Sequence, residues 1–539
     1  MIHVARTGGR PRRSAVWAAA VVATAVLGGC SGGDGGERPS DDDRSPSSAP
    51  ASKEPQGAPS SAPRTIPSVH DFDPGTGPGW KPGDRTRIVA DPKGPLADEA
   101  RMLAGELKAE VAAPPARAGD VELAIRTGQR GGAEGYRLST GDNRVTITGS
   151  ADAGVFYGTR TLVQSLRSGG KVPEGVVDDS PDRPQRGFQL DIARKHYTPD
   201  WIEARLRQMA DLKLNQLGLH FSDDQGFRIE STSHPEVVSK EHITKAELRR
   251  ILDLAEQLHI TVIPEIDSPG HLGAVIAAHP SLQLKSASGT PAQGAVDITN
   301  PQAARIVDDL LREYAGVFPG RYMHIGADEY LALMASDPEA TYPQLAAAAR
   351  AKYGSKARVQ DLATAWLNDR ASFVRGQGKR PKAWNDGFFS GGVVHPDKGI
   401  EVEYWTGKES GERQPAEYLS EGRTVVNLND EYLYYVLGEP NQFTYPTGER
   451  IYKEWTPSVL RGNTALSSSA TGPGKVPGGR FAVWSDIADA QTQDQVAKGI
   501  RLPLAAVAQK LWDPGRPPLS WPDFTALANK LGPVAGFTP

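Results

Sequence analysis

Asp328 and Glu329 are neighbouring carboxylates that directly follow a short apolar run, 322–325, and such a pair can divide acid–base work between a proton donor and an anion. Other polar residues stand at the ends of similar runs: Asp191 and Arg194, Asp223 and Asp224, Asp267 and His271, and His324. Later runs end in aromatic residues, Trp384, Trp405, Tyr432 and Trp484, with Asp486 two positions beyond the last. Acids gathered with indoles suit a carbohydrate. Cleaving a glycosidic bond needs a proton at the leaving oxygen and negative charge at the developing oxocarbenium carbon, and flat indoles stack on pyranose rings. Each residue alone has a blander reading: an Asp-Glu pair caps a helix, a Trp or His packs in a core, and aspartates make turns. Their recurrence at successive run ends outweighs this, although Asp224 and His324 are read as structural. The zinc-ligand types are present without a His-Glu-x-x-His or paired Cys-His spacing, so the pattern calls for no metal or cofactor.

The elements that must position these groups alternate in kind. Eight strand-like runs, 187–192, 216–220, 261–266, 322–325, 382–384, 401–404, 424–428 and 480–483, are separated by amphipathic helical patterns. One of these helices opens with the capping box Thr244-Lys245-Ala246-Glu247. Eight strand–helix repeats predict an α/β fold of the (β/α)8, or TIM barrel, type over 181–539, whose C-terminal strand ends carry the site. Residues 502–531 read as closing helices joined by a loop at 513–522. A small α+β domain over 68–180 precedes the barrel, with strands near 121–125 and 145–148 and a helix over 97–107; it gathers no catalytic groups.

The first 67 residues read differently. Arg6, Arg10, Arg12 and Arg13 precede an apolar stretch at 15–27 and then Leu27-Gly28-Gly29-Cys30, which reads as a signal peptide with a lipobox at 1–30 and lipidation at Cys30, the chain's one cysteine. Residues 31–67, rich in Ser, Pro, Gly and Asp, read as a disordered tether. The expectation is an exported protein, either a cell-surface lipoprotein that meets a membrane only through its lipid or a secreted one. A net charge of -4 provides no broad basic field for nucleic acid, so a glycan is the expected partner.

Four segments carry a specific likeness: 186–194 (RGFQLDIAR), 219–228 (LHFSDDQGFR), 264–271 (PEIDSPGH) and 324–329 (HIGADE). In this order they resemble the successive signatures of glycoside hydrolase family 20, and the likeness runs from about residue 136 to 512. It implies a retaining exo-hydrolase of terminal β-linked N-acetylhexosamine in which the substrate's 2-acetamido oxygen attacks the anomeric carbon. By the same resemblance Glu329 is the general acid and later the base, while Asp328 polarises the acetamido group and faces the oxazolinium. Arg194 binds sugar hydroxyls, and His271, oriented by Asp267 and Asp223, tunes Glu329. Trp384, Trp405 and Trp484 box the ring, and Tyr432 donates to the acetamido carbonyl. The adjacency of two carboxylates is expected to raise the pKa of one of them, as a proton donor near neutral pH requires.

The chain departs from the common hexosaminidase pattern at three places. Ala327 replaces Gly, Tyr432-Leu433-Tyr434 lacks the usual Asp at its third position, and Trp484-Ser485-Asp486 is one methylene short of Trp-x-Glu. Weakened grip on one terminal sugar makes lacto-N-biosidase, which releases a disaccharide, the alternative to the commoner β-N-acetylhexosaminidase. A non-catalytic glycan-binding lipoprotein is the alternative of another class, disfavoured because Asp328, Glu329, Arg194 and Tyr432 are all present.

Overall fold

Period-two alternation builds the first sheet. In the strand Val121–Ile125, Val121 and Leu123 are buried while the residues between them are half-buried. The computed structural model describes residues 58–407, 413–515 and 517–532. Seven strands, β1 (Asp71–Pro74), β2 (Arg87–Val89), β3 (Glu110–Ala112), β4 (Val121–Ile125), β5 (Tyr136–Gly141), β6 (Arg144–Gly149) and β7 (Gly175–Asp179), form one mixed sheet in the order β1-β7-β5-β6-β4-β2-β3. The helices Ala97–Leu107 and Asp152–Gly169 pack on it. Ordered chain begins earlier than the composition suggests. Thr65 and Ile66 are buried, and Gln164 both accepts from the Ile66 N–H at 2.8 Å and donates to its carbonyl at 2.9 Å. One Ile between two turn-formers suffices as an anchor, so residues 65 and 66 pack with the small domain although the sequence reading placed them in the linker. Cys30 and residues 1–57 lie outside the described residues.

The second half is a closed barrel. In chain order the strands are β8 (Gln185–Asp191), β9 (Gln216–His220), β10 (Thr261–Ser268), the hairpin β11 (Gln283–Lys285) and β12 (Pro291–Val296), β13 (Tyr322–Gly326), β14 (Arg380–Trp384), β15 (Glu401–Tyr404), β16 (Val425–Asn427), β17 (Tyr434–Val436) and β18 (Gly478–Trp484). Eight of them, β8, β9, β10, β13, β14, β15, β16 and β18, pair in parallel around a ring that closes where Asn427 meets Gly479. These strands are buried almost throughout, as parallel strands covered by helices must be. Thr244 and Glu247 form the expected capping box, with Glu247 N donating to Thr244 Oγ1 and Thr244 N to Glu247 Oε2. The C-terminal helices run Gln493–Trp512 and Trp521–Leu531.

Two features bear on the site. The barrel interior holds buried charge rather than purely apolar layers: Arg480 pairs with Glu403 and donates to Gln189 at 3.0 Å, and Lys382 pairs with Glu403 at 3.1 Å. Gln189 in turn donates to Glu265 at 2.7 Å. Each buried charge has an opposite charge beside it, the condition under which such burial is tolerated. Secondly, β17 is a ninth strand that alternation did not announce. It pairs with the C-terminal half of β18, Tyr434 opposite Ala482 and Val436 opposite Trp484, while β16 touches only the N-terminal end of β18. It therefore adds a three-residue wedge to the barrel wall beside Trp484.

Candidate active site

The loop after β13 carries the central pair. Gly326 (φ 68°), Ala327 (φ 85°) and Glu329 (φ 44°) all lie in the left-handed region, two of them without glycine's freedom. A backbone so turned is costly for L-residues and is seen where geometry at a site demands it. The positive φ at Ala327 accounts physically for the glycine of the commoner pattern. Gly326 itself is required: a Cβ there would sit 1.5 Å from Asp267 Oδ1. The turn is tied down on both sides. Ala327 N donates to Asp267 Oδ1 at 3.1 Å, and Glu329 N donates to Asp386 Oδ2 at 2.9 Å.

The two carboxylates meet different surroundings. Asp328 is largely buried, whereas the Glu329 side chain is 47% exposed. His271 stands between them, its Nε2 3.6 Å from Asp328 Oδ2 and 3.4 Å from Glu329 Oε2, with Nδ1 facing Asp223 at 3.4 Å. Burial alone would lower the His271 pKa, but Asp328, Asp223 and Glu329 around it hold it well above the ordinary value. His271 is thus an imidazolium. Its hydrogen bond, against the opposing effect of burial, lowers the Glu329 carboxyl.

The raised carboxyl is Asp267. Burial, and then the neighbouring Asp328 charge, push it well above the usual range. Asp267 Oδ2 and Asp328 Oδ1 are both buried without a hydrogen-bond partner, so the two carboxyls face each other as a pair. This corrects the expectation from adjacency. Asp328 and Glu329 are neighbours in sequence, but the left-handed turn points them apart, with His271 between them and Asp267 beside Asp328 alone. Asp267 accordingly serves Asp328 and the Ala327 amide, and the orientation of His271 falls to Asp223.

Arg194 is held from behind by Asp191 (3.0 Å) and Asp223 (2.8 Å), and lies over the Trp484 ring at 5.7 Å. Asp223 also accepts from His220 at 2.7 Å, and the three cations His271, His220 and Arg194 overcome burial to depress its pKa well below the usual carboxylate range. Asp486 is exposed, and its charge reaches Arg194. Asp224 accepts from Gly273 N at 2.9 Å, and His324 is buried between Glu265 (3.6 Å) and Glu403 (3.8 Å), both structural as expected.

The aromatic wall joins Trp384, Trp405, Tyr434 and Trp484 in one cluster. Trp384 is only 1% exposed, its Nε1 donates to Glu265 at 2.8 Å, and it packs deepest. Trp405 donates to Asp386 at 3.1 Å and lies parallel to Tyr434, with ring centroids 5.7 Å apart and planes 2° from coplanar. Tyr432 is not in this cluster. Its hydroxyl donates to Glu454 at 3.2 Å beneath the Arg450 guanidinium, 4.3 Å from its ring. The short helix Asp430–Leu433 turns Tyr432 away from this cluster into the main core, and β17 then delivers Tyr434 beside Trp484 (5.8 Å). The tyrosine at the site is therefore Tyr434. His220, Glu265 and Asp386 also belong to the site's support although sequence reasoning did not single them out; His220 and Glu265 fall inside the quoted signatures, and Asp386 lies two residues past Trp384.

Asp267, His271 and Asp328 bring ligating atoms within 4.8 Å of one another and by type could hold a metal, but the positive charge among these carboxylates is the imidazolium itself.

The family model for the catalytic domain of glycosyl hydrolase family 20 matches residues 184–515, and that for domain 2 of the same family matches residues 62–180. A lacto-N-biosidase of Bifidobacterium bifidum is 31% identical over 478 residues, 87% of this chain and 41% of that protein. The chain thus spans less than half of that relative's length. A β-N-acetylhexosaminidase of Cellulomonas fimi is 28% identical over 448 residues, 77% of this chain and 81% of that protein. Among solved structures, a mutant Streptomyces plicatus β-hexosaminidase in complex with product GlcNAc superposes with a TM-score of 0.71 at 25% identity, covering 89% of this chain and 96% of that one.

Proposed function

The chain belongs to glycosyl hydrolase family 20, and from that premise we propose that it is a retaining exo-hydrolase of glycans ending in β-linked N-acetylhexosamine units, with the substrate's own acetamido group as nucleophile. The observation that carries this reading is the unequal placement of two adjacent carboxylates: Asp328 largely buried against the raised carboxyl of Asp267, and Glu329 half-exposed at the mouth beside His271. A largely buried carboxylate suits charge stabilisation of an oxazolinium, and a half-exposed carboxyl suits proton traffic to a leaving oxygen. Glu329 is lowered in the free protein, so its acid form is gained when a sugar covers it, excludes water and adds to its burial. Arg194 would hold ring hydroxyls, Tyr434 would donate to the acetamido carbonyl, and Trp405 and Trp484 would flank the sugar. A purely binding role finds no support, since every ionisable group of the acid–base set is present.

A second reading concerns the leaving unit. No carboxylate stands two residues after either Tyr432 or Tyr434, where the commoner pattern has one, and Asp486 is short and exposed, so two grips on the outer hydroxyls of a single sugar are lost or loosened. This favours admission of a further sugar and release of lacto-N-biose, as does the likeness to the Bifidobacterium bifidum enzyme. Parallel hydrolysis of aryl N-acetyl-β-glucosaminide and aryl β-lacto-N-bioside, with the released sugar identified, tests both. Release of the monosaccharide alone refutes the second reading, and turnover of neither refutes the first. Export as a lipoprotein anchored through Cys30 is inferred from the N-terminal sequence; Cys30→Ala is expected to move the protein from the membrane fraction to the medium.

A further inference from the structure

Outside the reaction centre, two loops bring together side chains that the proposed chemistry does not use. His234 and Glu236 lie in the long segment that follows β9 and Asp223, and His279 caps the helix Gly273–Ala278 that follows β10 and His271. Both imidazoles converge on one carboxylate oxygen: His234 Nδ1 and His279 Nε2 are each 2.9 Å from Glu236 Oε1, and their rings stand at 87° with centroids 6.1 Å apart. Ligating atoms of all three residues lie within 4.8 Å of one another.

Two further observations separate this cluster from an ordinary surface hydrogen bond. The far nitrogen of His234, Nε2, is shielded from solvent, has no hydrogen-bond partner and faces Asp309 Oδ2 at 3.6 Å. A carboxylate behind a histidine keeps the proton on the far nitrogen and leaves the near one, here Nδ1, as a lone pair, the arrangement found behind metal-bound imidazoles. The segment that presents His234 is also fixed in place. Glu313 accepts from Ser231 Oγ (2.8 Å), Thr232 N (2.8 Å) and Ser233 N (2.9 Å) and pairs with Lys245 (2.6 Å), while His234 N donates to Ser231 Oγ at 3.1 Å. On the other side His279 N donates to Val275 O at 2.9 Å.

We propose that His234, Glu236 and His279 form a binding site for a zinc-type divalent cation, with Asp309 as the positioning carboxylate behind His234. Zinc holds nitrogen and oxygen at roughly 2.0–2.2 Å, which in a tetrahedron places ligand atoms about 3.4 Å apart; the observed 2.9 Å spacings open to that by about half an ångström. Two imidazoles and one carboxylate select zinc and its neighbours over magnesium or calcium, which prefer all-oxygen sites. The fourth position is left to water. The bound ion would tie the segment after Asp223 to the helix after His271, bracing the two loops that bracket the reaction centre without taking part in the chemistry.

The test is calorimetric titration of the chelator-stripped full chain with zinc sulfate, beside His279→Ala and His234→Ala, which sit on separate loops, with circular dichroism to verify folding. One saturable zinc per chain that is lost in both variants is expected, with Asp309→Asn binding about 10–100-fold more weakly. Cobalt(II) added to the unsubstituted protein should give the intense visible bands of a four-coordinate ion, a readout that needs no variant. Absence of zinc binding, weak bands of an octahedral cobalt, or zinc binding retained in His279→Ala and lost in His271→Ala would each overturn the assignment, the last by placing the ion at the reaction centre.

Discussion

Gly326→Ala is a one-methyl change whose consequences can be followed atom by atom. The added Cβ would lie 1.5 Å from Asp267 Oδ1 and 2.3 Å from its Cγ, whereas non-bonded contact needs about 3.5 Å, so the Asp267 carboxyl must retreat by about 2 Å. In retreating it abandons the Ala327 N–H, a buried donor whose loss of partner costs about 1–3 kcal/mol. The left-handed φ of 68° adds about 1–2 kcal/mol for an L-residue. A total of about 2–5 kcal/mol should appear as a lower melting temperature while leaving folded protein at low temperature. Activity should suffer more, because Asp267 holds the Ala327 amide of the turn that presents Asp328 and Glu329. A misplacement of about 1 Å at a catalytic group costs on the order of 100-fold, and the displacement here is larger. Steady-state hydrolysis of an aryl glycoside well below the melting point is the assay, with kcat/KM expected to fall at least about 100-fold. A folded Gly326→Ala protein within a few-fold of normal kcat/KM would refute the reasoning.

Further outcomes follow from the same geometry. Asp267→Asn preserves both the acceptor for Ala327 N and a donor toward Asp328, so it should keep kcat within about 10-fold, the value of one altered hydrogen bond, whereas Asp267→Ala should not; a collapse of both in steady-state assays would show that Asp267 works as an anion. In His271→Gln the cation that lowers Glu329 is gone, so the Glu329 carboxyl rises and the alkaline limb of the kcat/KM profile, where its proton is lost, should move to higher pH; a limb that stays or moves down contradicts this. Tyr434→Phe should reduce kcat/KM by about 3–10-fold through one lost hydrogen bond to substrate, and Tyr432→Phe should leave it near normal; the reverse order in parallel kinetics would restore Tyr432 to the site. At the junction of small domain and barrel, Asp179 is opposed by burial but held down to about 2 by Lys213, His70 and Tyr136, against an ordinary 3.8. A depressed carboxyl stabilises the fold above its unfolded pKa and loses that contribution as pH falls from about 4 to 2, here about 2 kcal/mol. Urea melts across that range should show a smaller loss in Asp179→Asn.

Much of this architecture was legible because parallel strands buried on both faces are short apolar runs, and eight of these line the barrel at the expected places. Polar residues immediately after them, Arg194, Asp223, Asp267, His271, Asp328 and Glu329, do converge at one mouth, since every parallel strand ends on the same side. What alternation could not convey was the wedge strand Tyr434–Val436. Three residues carry no periodicity, and the half-turn made by Asp430–Leu433 decides which of two tyrosines faces inward. The protonation pattern was hidden for a different reason. Which carboxyl is raised depends on distances between β10 and the turn after β13, and in sequence Asp267 and Asp328 are 61 residues apart. The start of the ordered chain escaped because composition averages over a window, and a single buried Ile66 does not change an average.

The claim on which the rest depends is that the substrate's acetamido oxygen, not a protein carboxylate, attacks the anomeric carbon. It is tested most directly with aryl β-glycosides whose 2-acetamido methyl carries zero, one, two or three fluorines, so that the carbonyl oxygen becomes steadily less nucleophilic while the ring and leaving group stay the same. A steep, monotonic fall of kcat/KM across the series is predicted, with Asp328 and Glu329 both intact. A flat series, with the trifluoroacetamide turned over as readily as the acetamide, would contradict the account and return the nucleophile to the protein.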